Sequence, residues 1–363
     1  MSKVRILGAG LSGLATAVLL ARRGFEVEVR DRRPGGGGRF AGGFQVLENG
    51  SSAQDVLGEI SNLGLEPRCD LVPLHEAVFL DAGRRRYAVA SRAPYAYLVR
   101  RGGGPGTVDG WLGEEAAAAG VRIGSGSEDE AWTADVIATG PRRADGVARE
   151  RVFRTTHPDL MAVLFDPGII PTGYAYLFVH DGFATMGAAQ VRKLGELAGN
   201  ARRAFAVLLE EFPMAVEDLE EHVQYMNFGI PRGLQAGGRW YVGEAAGIQE
   251  YLFGLGNRLG LRSAALVASA VAGEPFDQRA FLERIVRPMR TSVLGRAGFE
   301  LAGPRTVRRL CRWLAAGDFR QRLITLQRPG PARLLLARLV MAAWRAGPRA
   351  RRLPVQAWSR RRG

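Results

Sequence analysis

Six residues near the start of the chain, Gly8-Ala9-Gly10-Leu11-Ser12-Gly13, have the types and spacing of a turn that holds a pyrophosphate. The first glycine permits a tight turn, the second lets a phosphate approach bare backbone, and the third lets helix and strand pack closely. A helix opening at Leu11 points free N–H groups and a positive dipole end at that charge. Asp31 follows where a carboxylate accepts hydrogen bonds from ribose hydroxyls. A second glycine-rich stretch, YVGEAAGIQEYLFGLGNRLG, carries Gly243, Gly247, Gly254, Gly256 and Gly260 in an apolar setting. Each glycine in a helix costs ~1 kcal/mol relative to alanine, so close backbone approach is expected there.

The elements around the first turn follow from its neighbours. Residues 4–7 read as a short apolar strand, and residues 11–23 as a helix with Leu14, Ala17, Val18 and Ala21 on one face. Gly24 ends that helix, and Phe25, Val27 and Val29 alternate as the next strand. Strand, turn, helix, strand and acid together predict a dinucleotide site, which a lone GxGxxG would not. No second fingerprint of this kind occurs, so a separate nicotinamide domain is not expected. The apolar run 6–21 is interrupted by glycines and lacks a cleavage pattern, so it reads as folded structure, not a signal peptide.

Composition narrows the chemistry. Cys69 and Cys311 form no CxxC motif, and His75, His157, His180 and His222 have no ligand spacing, so no metal site is expected. A reducing, cytoplasmic location fits this cysteine usage. The net charge is +14, yet residues 301–363 hold 16 arginines and one acid, Asp318, leaving the rest of the chain near neutral. Nucleic acid is not expected as a partner, because no aromatic-basic reading motif accompanies that charge.

Several of these segments resemble one flavoprotein superfamily. Gly37-Gly38-Arg39 resembles the second fingerprint of FAD enzymes related to amine oxidases and phytoene desaturases. Ala138-Thr139-Gly140 resembles the ATG element that closes FAD-binding Rossmann sheets. GYAYLFVHDGFATMGAA and VGEAAG resemble segments of geranylgeranyl reductases, within the superfamily built like para-hydroxybenzoate hydroxylase. The resemblance spans most of residues 1–275. It implies an α/β fold: a FAD-binding Rossmann-type domain, an inserted mixed-sheet substrate domain and a C-terminal helical basic tail. The expected FAD domain is discontinuous (1–60, 104–150 and 240–275). The expected substrate domain is 61–103 and 151–239, and the helical basic segment is 276–363.

By the same resemblance, FAD is held by Gly8, Gly10, Leu11, Ser12, Gly13, Asp31, Arg32, Gly38, Arg39, Thr139 and Gly140. Gly243, Glu244, Gly254, Leu255, Gly256 and Asn257 make the second contact, with the last four opening a helix toward the flavin pyrimidine edge. NADH or NADPH is implied as a transient electron donor. Glu244 stands where relatives carry aspartate, and Glu250-Tyr251 where many carry prolines. The W-x-W-x-I-P motif of flavin halogenases is absent, which argues against halogenation. The expected reaction moves a hydride between flavin and an apolar, isoprenoid-like or other secondary-metabolite substrate. A flavin monooxygenase and a non-redox cyclase or binding protein are the alternatives.

Tyr174, Tyr176, Phe178, Phe183 and Tyr251 are candidates for an aromatic substrate wall, and Tyr176, His180, Glu250 and Tyr251 for catalytic groups. No spacing singles one out, and His180-Asp181 reads equally as a hairpin turn. In the tail, Leu334, Leu335, Leu339 and Ala342 are expected on one helix face among arginines. Such a segment can meet an anionic membrane, an acidic electron-donor protein, or the body of its own fold.

Overall fold

A computed structural model describes residues 2–33, 37–40, 42–346 and 353–354. Its first sheet has six strands in the order Gln235–Ala236, Arg239–Tyr241, Val136–Ile137, Lys3–Leu7, Glu26–Asp31, Arg122–Ser125. The pairs are parallel except the outer hairpin of 235–236 with 239–241. Buried Ile6, Val29 and Val136 line the sheet, and Leu14, Ala17 and Val18 of the helix Leu11–Ala21 pack on it. That helix also lies against Asn257–Val271 and Val108–Ala118. Strands from the two ends of the nucleotide segment and from residues 122–137 are thus brought into one doubly wound layer.

The second sheet is mixed and seven-stranded. Its order is Glu217–Met226, Gly146–Arg154, Phe183–Gln190, Gly173–His180, Leu160–Phe165, Glu76–Asp81, Arg86–Ala90. Only Leu160–Phe165 with Glu76–Asp81 is parallel. Side chains alternate across it as the pleat requires. Ala175, Leu177 and Val179 face the amphipathic helix Leu197–Glu211, while Tyr176 and Phe178 face an aromatic layer with Phe79 and Phe165. A small sheet of Phe44–Glu48, Ala96–Arg100 and Val72–Leu74 joins the two bodies. The strand Gly146–Arg154 runs across the boundary expected at 150 and lies wholly in the seven-stranded sheet.

From residue 278 to 346 the described chain is mainly helical, with Arg287–Leu301, Pro304–Ala315, Phe319–Gln327 and Pro331–Ala346 as its main elements. Asp318 caps the third of these through Gln321 N at 3.0 Å. Leu353–Pro354, inside the segment expected to be helical, instead pairs as an antiparallel strand with Arg143–Ala144. The face expected on the last helix is not the one that packs. Ala337 is fully buried, whereas Leu335 and Leu339 stand 60% and 61% exposed. The small side chain fits against Arg287–Leu301, and the bulky ones lie outside that contact. Among the described residues, no helix is long and apolar enough to cross a membrane.

Candidate functional site

The phosphate turn is built from glycines that have different reasons to be glycine. Gly8 has φ +112°, and a Cβ there would sit 2.4 Å from the Ala138 carbonyl oxygen. A Cβ on Gly13 would lie 1.9 Å from the Gly8 oxygen. A Cβ on Gly10 would meet nothing within 4 Å, so the space above that residue is open. The helix starting at Leu11 has no capping side chain, which leaves its amide end available to an anion. Asp31 accepts from Ala9 N at 2.7 Å and Arg33 N at 2.9 Å, so it braces the turn as well as closing the strand. Arg32 is exposed. Gly37 N donates to Ala9 O at 2.9 Å, and the Arg33 guanidinium donates to Gly38 O, holding the second glycine pair beside the first turn.

Arg39 links this turn to the later segments. Its guanidinium pairs with Glu244 at 2.6 Å, donates to the Tyr225 carbonyl, and lies 3.5 Å from the position of a Cβ on Gly140. Thr139 is exposed beside it. Glu244 thus reaches an arginine more than two hundred residues earlier in the chain. The strand before Ala138-Thr139-Gly140 is only Val136–Ile137 long, so these three residues lie in the loop beyond it.

The glycines of 241–260 divide into two groups. Cβ atoms on Gly243 and Gly260 would lie 2.4 and 2.6 Å from the Ser12 hydroxyl, and one on Gly247 would lie 3.1 Å from Gly229 Cα. These three make room for other parts of the protein, the close backbone approach that the glycine spacing leads one to expect. Gly254 has φ +72° and its Cβ would meet Met226 Sδ at 2.7 Å, whereas Gly256 caps the helix Asn257–Val271 with only ordinary contacts. Leu255 O accepts from Glu250 N at 2.9 Å, fixing the loop between them. Asn257 accepts from Arg101 at 3.0 Å and donates to Val46 O at 3.2 Å. Arg101, itself buried, is held by Asp109 through bonds of 2.7 and 2.9 Å and by Gln45 at 2.8 Å.

The proton-handling candidates fall in three places. Tyr176 is buried on the aromatic face and donates to Glu150 Oε1 at 2.5 Å. Burial, then the Glu150 carboxyl, pushes its phenol well above the usual range. Burial also raises Glu150, against the Tyr176 hydroxyl and the Gln224 amide, which pull the other way. Gln224 Nε2 donates to Arg39 O at 3.2 Å, so the Tyr176–Glu150 pair and the Arg39–Glu244 pair are near neighbours. Tyr174, 6.0 Å from Tyr176 between ring centres, donates to Phe253 O at 2.6 Å and ties the sheet to the loop 250–257.

Glu250 is buried, and its carboxylate accepts from Leu252 N at 2.7 Å and Phe253 N at 2.6 Å. Burial pushes it up to about 7, the two backbone bonds opposing. Tyr251 N donates to Ser292 at 2.9 Å, and its ring lies 5.1 Å from Phe228. His180 is not brought to this group. It ends the strand Gly173–His180, six residues beyond Tyr174, and its Nδ1 lies 2.6 Å from Asp159, with Asp181 in the turn at φ +48°. At ~3.3 Å per strand residue that is ~20 Å from the Tyr174 end. Glu150, Gln224 and Arg101 were missed by sequence reading. Alternation in GVARERVFR places Glu150 opposite Arg149 and Arg151, but not which face is inside.

The profile of a NAD(P)-binding Rossmann-like domain matches residues 6–50, the segment that contains the glycine turn, Asp31 and Arg39. No curated protein sequence matches the chain. Solved structures are similar across nearly its whole length. A geranylgeranyl bacteriochlorophyll reductase-like protein from Thermoplasma acidophilum is 16% identical with a TM-score of 0.66, over 95% of this chain and 99% of its own. A myxobacterial FAD-dependent chondrochloren halogenase is 17% identical, TM-score 0.60, over 96% and 99%. The p-nitrophenol 4-monooxygenase of Pseudomonas putida is 14% identical, TM-score 0.60, over 94% and 99%. The chain therefore has the α/β fold of FAD-dependent oxidoreductases, with a Rossmann-type nucleotide layer and a mixed second sheet.

Proposed function

We propose that the chain is an FAD-dependent oxidoreductase that moves a hydride between flavin and an apolar substrate. The observation that carries this reading is the meeting of three separate segments at one place. Arg39 beside the glycine turn, Glu244 in the later glycine stretch, and the buried Tyr176–Glu150 pair on the second sheet are joined through Gln224.

The residues fit FAD. Open space over Gly10 and an uncapped helix start suit a pyrophosphate, and Asp31 closes the adjacent strand where a ribose would lie. Leu255, Gly256 and Asn257 present another helix start toward the interface of the two sheets, which favours negative charge on a bound ring. FAD supplies the two-electron chemistry when bound. The chain's own part is to orient and to exclude water. Tyr174, Tyr176 and Phe178 give an apolar wall, with Tyr176 and Phe178 stacked at 4.8 Å. The Tyr176 hydroxyl donates to Glu150 on that wall, and the two are the groups placed to pass a proton to a substrate carbon or oxygen. NADPH or NADH is the donor that this reading requires first.

Anaerobic titration of the purified protein with NADPH and then NADH tests it, following the visible flavin band. Bleaching is expected, and substrate-dependent oxygen uptake afterwards would shift the assignment to a monooxygenase. A protein that shows no flavin band after reconstitution with FAD would overturn the reading.

A further inference from the structure

The described chain exposes eleven large hydrophobic side chains, and seven of them fall between Leu301 and Leu339. Their arrangement on the helix Pro331–Ala346 is specific. Leu335, Leu336 and Leu339 are separated by one, three and four positions, so they form one continuous strip along the helix. They are 60%, 52% and 61% exposed, while Ala337 on the opposite side packs against the body. An apolar strip of this kind needs a cover.

The charge beside the strip says what that cover is. Arg338 lies within the strip's turn and is exposed. Its helix packs on Arg287–Leu301, which carries the half-buried Arg290. Burial first, and then the Arg338 charge, pulls the Arg290 guanidinium down. Neither arginine has an ion-pair partner among the described residues. The charged groups packed around them offer little relief. Arg287 pairs with Glu283 at 3.9 Å, Glu300 is taken by Arg296 and Arg192, and Arg333 is engaged with the carbonyls of Thr325, Leu326 and Arg328. The one acid of the basic segment, Asp318, is already used on the N–H groups of Gln321 and Arg92. Two like charges held together beside exposed leucines are favoured once anionic oxygens lie between them and acyl chains cover the strip.

We propose that the helix Pro331–Ala346 docks on an anionic lipid bilayer surface, with Leu335, Leu336 and Leu339 inserted among the lipids and Arg338 and Arg290 on the headgroup phosphates. The helix lies in the interface plane and does not span. The leucine strip lies on the helix that packs outside Arg287–Leu301, whose Ser292 meets Tyr251 N, and the inference does not depend on which redox reaction the enzyme performs.

Flotation of the full-length protein with vesicles tests it. Vesicles of phosphatidylcholine with about 30% phosphatidylglycerol are compared with phosphatidylcholine alone. Binding is expected to the anionic vesicles, at least tenfold weaker to neutral ones, and weakened by raising salt from about 0.1 to about 0.5 M. The variant L335Q/L339Q, altered only at exposed positions, is expected to lose at least tenfold in partition while keeping its melting temperature. R290Q/R338Q is expected to narrow the difference between anionic and neutral vesicles. Arginines beyond residue 346 could bind anionic vesicles by charge alone, and the leucine variant separates the two. Undiminished binding by L335Q/L339Q, or equal binding to both vesicle types, would overturn the proposal. So would a wild-type protein that floats with neither.

Discussion

Glu250 gives the loop 250–257 a pH dependence that can be worked out and measured. Its carboxyl is buried and accepts from two backbone N–H groups, and burial raises it from an ordinary 4.5 to about 7. A carboxyl whose folded value lies above its unfolded value holds more protons in the native state. Stability is therefore full below about 4.5, falls as pH rises through the window, and the whole cost is present above about 7. At about 1.4 kcal/mol per pH unit, the window corresponds to about 3 kcal/mol. Glu250→Gln removes the titration and weakens one or both turn bonds, at a roughly constant cost of ~1 kcal/mol. Urea unfolding of both proteins at pH 5, 6, 7 and 8 should show the wild type losing about 2.5 kcal/mol more than the variant across the series, since part of the cost is already present at pH 5. Glu150, raised in the same direction, is present in both and cancels. Parallel stability curves would refute the reasoning, because they would mean that the folded loop gives Glu250 a solvated carboxylate's freedom.

Two further outcomes follow from the glycines. Gly187→Ala would bring a Cβ to 2.1 Å from Tyr176 Cζ, displace the ring from Glu150 and cost about 2–4 kcal/mol in thermal or urea unfolding. An unchanged midpoint would show that the pair is not held by that glycine. Gly13→Ala should be destabilised by roughly 2 kcal/mol or more, whereas Gly10→Val should melt like the FAD-free wild type and purify without a flavin band. A yellow Gly10→Val protein would remove the pyrophosphate from this turn.

Local signals carried much of this architecture and long-range ones did not. The strand, turn, helix and strand of residues 3–31 were legible because each is fixed by neighbours within a few positions, and the observed bounds differ by at most two residues. GYAYLFVHDGFATMGAA stands out by resemblance, with His180-Asp181 reading equally as a hairpin turn, and it forms the hairpin of Gly173–His180 with Phe183–Gln190. The approach of Gly243 and Gly260 to Ser12 was not legible, because Ser12 belongs to the other end of the chain. Glu150 was overlooked for a related reason. Its burial depends on the strand that brings Tyr176 across from it, and nothing in GVARERVFR states that pairing. His180 invited attention through Asp181, while its actual partner, Asp159, precedes it by a whole strand. On the last helix, hydrophobicity pointed to leucines and packing chose alanine, since size decides a close helix contact.

The Ser12 hydroxyl between Gly243 and Gly260 also bears on the order in which this protein can be made. The first helix emerges from the ribosome long before the segment that receives it, and more than two hundred residues must be synthesised in between. Closing so long a loop costs little more free energy than closing one half its length, but it must wait for the chain. Until residue 271 is available, Leu11, Leu14 and Val18 lack the helix that covers them. The intervening seven-stranded sheet, closed from residues 76–226, can form first as a unit. The nucleotide layer is then completed around that sheet, before the helices that follow residue 276 cover the sheet's aromatic face. Nascent chains stopped before residue 240 should accordingly resist protease in the sheet and yield at the amino-terminal helix.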